Sequence, residues 1–273
     1  MNAAGAMSTQ GELSSQAGNV VSGPLVSAVI PFYNRTELTI RAVKSVLAQT
    51  YSNFEILAVN DGSTEDDSAL AKFFSSNSKI TYIKLEANLG RAEARNFGIR
   101  SSKGQYIAFL DSDDTWEREK LEVQMGEMLR NGWHFSHTSF YRHDARTGQT
   151  RLVRSGSRDY AFPMIAFYSR IVTPSVMLDK NILSGLSFRP DLKFAEDGLL
   201  WLLLSKRTIL HGIDRPLTNV FIGHQTDALN KAVQIGALQI AKEGLAGHPL
   251  YLALHAVFRI ARRIQLEIIG LWR

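Results

Sequence analysis

Three short apolar runs in the first 110 residues each break off into a polar turn, and this repeated break is what most constrains the fold. Val26-Ser27-Ala28-Val29-Ile30-Pro31 ends in Phe32-Tyr33-Asn34. Phe54-Glu55-Ile56-Leu57-Ala58-Val59 ends in Asn60-Asp61-Gly62-Ser63-Thr64, and Tyr106-Ile107-Ala108-Phe109-Leu110 ends in Asp111-Ser112-Asp113-Asp114. Runs this short, rich in β-branched and aromatic residues, predict buried strands. Leu38, Ala42, Val46 and Leu47 lie at helical spacing between the first two. Strands alternating with helices predict a parallel sheet of βαβ units, and ligands bind at the carboxyl edge of such a sheet. The three turns therefore converge on one edge.

The last turn carries three carboxylates. Unpaired buried charge is prohibitively costly, so they must meet water or cations. Oxygen donors of this kind suit a hard divalent ion that can also hold a phosphorylated substrate. A solvated acidic turn capping a helix that begins near Thr115 is the plainer alternative.

Taken in order, these motifs resemble the family 2 glycosyltransferases of the A-type fold. The resemblance rests on Ile30-Pro31-Phe32-Tyr33-Asn34, Asn60-Asp61-Gly62-Ser63-Thr64, Asn88-Leu89-Gly90, Ala94-Arg95-Asn96-Phe97-Gly98, Asp111-Ser112-Asp113-Asp114, Glu196-Asp197 and His224. It covers roughly residues 24 to 225. It implies an α/β, Rossmann-like, mostly parallel sheet flanked by helices, with a C-terminal helical extension. The implied organisation is a tail (1–23), a transferase domain (24–228) with a nucleotide-binding half (24–115) and an acceptor half (116–228), and the extension (229–273).

The implied activity is inverting, metal-dependent transfer of a hexosyl-type sugar from a nucleotide-diphosphate donor, UDP-linked, to a hydroxyl of a saccharide or lipid-linked saccharide. The setting would be cell-surface polysaccharide or glycolipid assembly. Pro31, Tyr33 and Asn34 would line the base and ribose pocket, and Asp61 would read the imide edge of a uracil-type base, a role suited to an acceptor-only carboxylate. Many relatives have two aspartates at that turn; here Asn60 precedes Asp61. Asp113 would hold Mn²⁺ or Mg²⁺, Asp111 would contact the ribose or a metal-bound water, and His224 would approach the metal or the diphosphate. Asp114 is expected to cap the next helix, with Trp116 and Leu121 facing inward.

Ala92, Asn96 and Ile99 share a helical face, with Asn88 or Gly90 as the start. Arg91 and Arg95, one turn apart, would then lie together. Arg91 reads equally as a solvated basic face, whereas the motif assigns Arg95 to the base or diphosphate, which a guanidinium grips bidentately. In the second half, Trp133 to Tyr141 predicts a strand carrying His137 toward the site. His134, His137 and His143 match no compact zinc spacing. Ile171 to Leu178 resembles the family strand bordering the acceptor pocket. Six arginines between Arg142 and Arg170 fit either a loop for an anionic acceptor or a solvated surface. Glu196-Asp197 opens an apolar helix. Acids there favour the helix dipole, while the resemblance makes Asp197 the general base and Glu196 its neighbour.

Composition bounds these readings. The 273 residues are 45% hydrophobic and 21% charged, as in ordinary globular proteins. Zero cysteines exclude disulfides and thiolate metal sites. A net charge of +5 without a lysine-rich tract gives no case for nucleic acid. Residues 1–23 carry one charge, Glu12, and predict a disordered tail without the basic start and apolar core of a signal peptide. No run of uncharged apolar residues is long enough to span a membrane. Leu254, Val257, Phe258, Ala261, Ile264, Ile268 and Leu271 form a helical stripe in 248–273, with Arg259, Arg262 and Arg263 largely off it. Such a helix suits an anionic membrane surface, or packs on its own domain or a second copy. The expected location is the cytoplasm, with peripheral contact at the inner face of the membrane. Two rival readings are a sugar nucleotidyltransferase and a non-catalytic nucleotide-sugar binder. The first would need a Gly-rich loop with a basic residue near strand one, which Phe32-Tyr33-Asn34-Arg35 is not.

Overall fold

The computed structural model describes residues 23–167, 169–192, 194–223, 242–243, 245–249 and 251. His224 and all but three residues of the 248–273 stretch lie outside the described residues. Within them the chain runs β1 (Val26–Phe32), α1 (Thr36–Leu47), β2 (Phe54–Asn60), α2 (Ser68–Ser75), β3 (Ile80–Lys84), α3 (Arg91–Ser101) and β4 (Tyr106–Phe109). It continues through β5 (Thr115–Trp116), α4 (Lys120–Asn131), β6 (Phe135–Asp144), β7 (Thr150–Val153), β8 (Val176–Asp179), α5 (Glu196–Leu204) and β9 (His211–Ile222).

One sheet takes all the described strands, in the order β3-β2-β1-β4-β8-β6-β9-β5, with β7 on β6. The first four pair in parallel, as the alternating sequence pattern requires. In register, Phe32 stands beside Asn60 and Val29 beside Phe109, so the three polar turns leave from one edge. Beyond β4 the order is mixed: β8 joins both β4 and β6 antiparallel, whereas β9 runs parallel to β6. The mostly parallel expectation therefore describes the first half only. Long crossover helices, the condition for parallel neighbours, join the strands there, whereas in the second half only β6 and β7 are joined by a short turn.

Side-chain alternation along the strands divides the core into two layers. Val26, Ala28, Ile30 and Phe32 of β1 pack with α1, α2 and α4, while Val29 joins α3 and α5 on the other face. Trp201 of α5 meets the rings of Phe109, Phe135 and Phe188 at 6.1, 5.4 and 5.8 Å. These edge contacts seat the helix that begins with Glu196-Asp197.

Gly98 brings α3 unusually close to the sheet. A Cβ built there would lie 2.4 Å from Val29 Cγ1, in the middle of β1. Gly98→Ala is thus expected to lower stability by about 1–3 kcal/mol through overpacking, although Ala is the better helix former. Chemical denaturation would check this, and an unchanged or raised midpoint would show that α3 can stand off from β1.

Several local readings are corrected. No helix starts near Thr115: Thr115-Trp116 pairs antiparallel with Asn219 and Thr218, and α4 begins at Lys120. Trp116 and Leu121 do face inward. Asp114 caps nothing, because its Oδ1 accepts the Phe221 N–H at 2.9 Å. The predicted strand over 171–178 is a 3-10 turn at Thr173–Ser175 followed by β8, since Pro174 has no N–H for a ladder. β9 holds Pro216 at a bulge opposite Ser139, where the missing donor is tolerated.

Candidate active site

The carboxyl ends of β1, β2 and β4 frame a cleft of about 360 Å³, whose walls include Pro31, Tyr33, Asp61, Asp111 and Asp113. Two turns lock together on one side. Asn34 donates its N–H to Ser63 Oγ at 2.7 Å, and its Oδ1 accepts the N–H groups of Thr64 and Glu65 at 3.0 and 3.2 Å. Asn34 is therefore spent on the neighbouring turn. Tyr33 stays 40% exposed at the mouth, free to meet a ligand.

Asp61 is nearly buried. Its two oxygens accept the Leu89 N–H at 2.8 Å and the Gly90 N–H at 2.9 Å, so it fixes the loop that opens α3. Each oxygen keeps a second lone pair for a ligand donor. Burial raises its pKa, and the two N–H groups work against that rise. Gly62 is required twice over, by φ +67° and by a Cβ position 2.4 Å from the Ala87 carbonyl carbon.

Arg95 stands behind this wall instead of lining the cleft. Its Nη2 reaches Asp111 Oδ1 at 2.6 Å and its Nη1 reaches Glu196 Oε1 at 2.9 Å. The guanidinium is 3% exposed and lies 5.2 Å from the Phe188 ring centroid. Its expected contact with base or diphosphate is thus replaced by a strut between two carboxylates, because a buried cation must be paired. Burial disfavours its charge, but Asp111, Glu196 and Asp197 more than offset this, leaving its pKa above the usual arginine value. Arg91 does share the face, as expected: its Nε forms an ion pair with the same Glu196 Oε1 at 2.8 Å.

Glu196 is 3% exposed and its Oε2 has no hydrogen-bond partner among the described residues. Burial raises its pKa, Asp197 adds to the rise, and Arg91 and Arg95 oppose it. Asp197 is half-buried. Its Oδ2 accepts the Thr173 hydroxyl at 2.7 Å and its Oδ1 the Gly198 N–H at 2.7 Å. Ala195, just before the pair, holds φ 63°, a strained value for a residue with a side chain. The 3-10 turn carrying Thr173 is fastened from below, where Trp116 Nε1 donates to the Pro174 carbonyl at 2.9 Å and Gln124 Nε2 to the Ser175 carbonyl at 3.1 Å.

The acidic turn is covered by arginines. Asp113 Oδ2 pairs with Arg35 Nη1 at 2.7 Å, and its carbonyl accepts Arg41 Nη2 at 2.5 Å. Asp111 and Asp113 both line the cleft, and among the described residues each leaves one carboxylate oxygen outside any hydrogen bond. Among the described residues no three carboxylate or imidazole groups gather into a metal-holding set. Two carboxylates completed by phosphate and water oxygens are nevertheless the ordinary coordination of Mg²⁺. The residues present fit a divalent ion on those terms. Asp114 lies deeper; burial, reinforced by Asp111 and Asp113, pushes its carboxyl up to about 8.

The histidines disperse. His137 is buried against Tyr160, away from the cleft, and burial takes its pKa down to about 4. His134 meets Asp179, and His143 bonds to Thr150 and Asn219. Sequence reasoning missed Arg35, Arg41 and Thr173 as neighbours of the site carboxylates. Only Arg35 left a trace, as a basic residue where a helix start favours a capping one.

The sequence model of the family described as Glycosyl transferase family 2 matches residues 27–179. An uncharacterized glycosyltransferase of Rickettsia bellii is 41% identical over 216 residues, 78% of this chain and 31% of the relative. The chain thus spans about a third of the length of that relative. The Escherichia coli UDP-Glc:alpha-D-GlcNAc-diphosphoundecaprenol beta-1,3-glucosyltransferase WfgD is 31% identical over 198 residues, covering 70% of this chain and 73% of WfgD. S. aureus TarS 1–349, crystallised in complex with UDP-GlcNAc, superposes with a TM-score of 0.69 at 17% identity, over 86% of this chain and 72% of that one.

Proposed function

The chain belongs to glycosyl transferase family 2, and from that premise we propose that it transfers a sugar from a UDP-linked donor to an acceptor hydroxyl with inversion. The observation that carries the reading is the line Asp111–Arg95–Glu196, which ties the wall of the nucleotide cleft to the neighbour of Asp197. Donor and acceptor chemistry must lie side by side for direct transfer, and a chain of ion pairs between the two walls supports that reading. A uridine donor is supported by the UDP-GlcNAc bound in TarS and by the UDP-Glc in the name of WfgD. The diphosphoundecaprenol in that name supports a lipid-linked saccharide acceptor in polysaccharide or glycolipid assembly. No helix among the described residues is long and apolar enough to cross a membrane.

In this reading Asp61 and Tyr33 meet the base, with the loop at Leu89-Gly90 held ready by Asp61. Asp113 and Asp111 would hold Mg²⁺ or Mn²⁺, which neutralises charge on the departing diphosphate. Asp197 accepts the proton of the acceptor hydroxyl, its carboxylate held at one oxygen by Thr173 and at the other by Gly198 N–H. One carboxylate acting once as base fits a single displacement, hence inversion. Positioning and proton removal together account for large rate factors in such sites.

Asp113→Asn tests the metal part. UDP affinity measured by calorimetry in Mn²⁺ should fall at least about tenfold, as when metal shells are disturbed, with little change in EDTA. Equal metal-dependent affinity in both proteins would remove Asp113 from the ligand set.

A further inference from the structure

Arg35 breaks three local rules at once. It precedes α1 with φ 62°, a left-handed conformation that is costly for a residue with a side chain. It sets a cation at the positive end of a helix dipole. It also gives no side-chain cap where Ser, Thr, Asp or Asn are favoured. The preceding Asn34 is left-handed as well, at φ 56°.

The surroundings hold this conformation firmly. The Thr39 N–H and hydroxyl both donate to the Arg35 carbonyl, each at 3.0 Å, and Asn34 is locked into the turn at Ser63-Thr64-Glu65. Residues that break local rules while their neighbours enforce the break mark functional positions. What the strain secures is a guanidinium on Asp113, at 2.7 Å, in the wall of the cleft. That pair is 56% and 35% exposed, so its contribution to stability is small. Stability therefore does not explain Arg35.

Its backbone is fixed while its side chain is half in solvent, which leaves the guanidinium able to change partner. A divalent ion at Asp113 and the guanidinium of Arg35 compete for the same carboxylate. Once displaced, the guanidinium remains at the cleft wall, with a geometry that matches phosphate oxygens. We propose that Arg35 is a resident counter-cation: it occupies Asp113 in the nucleotide-free cleft, yields it to the divalent ion, and turns to the phosphates of the incoming nucleoside diphosphate. This rests on the reading of Asp113 as a metal ligand.

The consequence is a pair of effects with opposite sign. In Arg35→Gln, Mn²⁺ alone should bind about threefold to fivefold more tightly, the scale of losing an exposed ion pair. UDP at saturating Mn²⁺ should bind about tenfold more weakly, the scale of losing a charged hydrogen bond. A damaged site would weaken both. Calorimetry on the full chain, on wild type, Arg35→Gln, Arg41→Gln and Asp113→Asn, reads both affinities. Arg41→Gln removes the same charge from beside Asp113 without freeing its carboxylate, so it should tighten Mn²⁺ less. Unchanged or weaker Mn²⁺ binding in Arg35→Gln, unchanged UDP binding, or equal tightening in Arg41→Gln overturns the proposal. Wild-type Mn²⁺ affinity in Asp113→Asn, or no Mn²⁺ binding by any of the four, overturns the metal reading beneath it instead.

Discussion

Asp197→Asn should leave UDP affinity near the wild-type value and cut turnover by at least about a hundredfold, the scale of general-base catalysis. The amide keeps the size of the carboxylate. Its Oδ1 can still accept the Gly198 N–H and its Nδ2 can donate to the Thr173 hydroxyl oxygen, so the local hydrogen bonding at 2.7 Å can be largely retained. What is lost is the capacity to take a proton. If Asp197 merely favours the start of α5, Asn serves as well, since both are good residues at a helix N-terminus. Activity would then survive with a small change in melting temperature. Turnover, UDP affinity and melting temperature on the one variant separate the two cases, and retention of most of the turnover removes Asp197 from the role of base.

Arg95→Met should destabilise the fold by about 3–5 kcal/mol, the usual cost of breaking a buried ion pair from one side. Methionine fills most of the space, so the loss is chiefly electrostatic. Glu196, 3% exposed, would keep only Arg91, and Asp111 would lose its partner. The double variant Arg95→Met with Glu196→Leu should recover much of that stability, because removing both charges relieves the burial cost. Denaturant unfolding of both variants tests this. A single variant within 1 kcal/mol or so of wild type would show that solvent reaches Glu196 freely.

The first half was legible, α2 and β3 apart, because its information is local. β1, β2 and β4 are short apolar runs bounded by polar turns, and their common edge follows from the alternation with α1 and α3. The pairing of Arg91 with Arg95 on one face also followed from spacing alone. The second half was legible only in part. β9 contains Pro216 and two charged residues, Asp214 and Arg215, and it forms because β6 and β5 supply partners on either side. The same distance in sequence hid the contacts that arrange the site. Thr173 meets Asp197 across 24 residues and Arg35 meets Asp113 across 78, and no spacing rule connects either pair. Arg95 was placed in the right neighbourhood on the wrong partner. Its motif fixes the helix face, but only the fold shows that two carboxylates already claim the guanidinium.

The pairing of β5 with β9 bears on how the molecule comes to exist at all. The acidic turn is held by a strand a hundred residues later: Thr115 lies opposite Asn219, and Asp114 takes the N–H of Phe221. A nascent chain that has emerged only as far as β4 and α4 carries Asp111, Asp113 and Asp114 but lacks the strand that fastens their turn. Contacts of such separation form late and slowly. Completion of the cleft thus waits on β9, and its first-half wall is fastened only when the second half is in place.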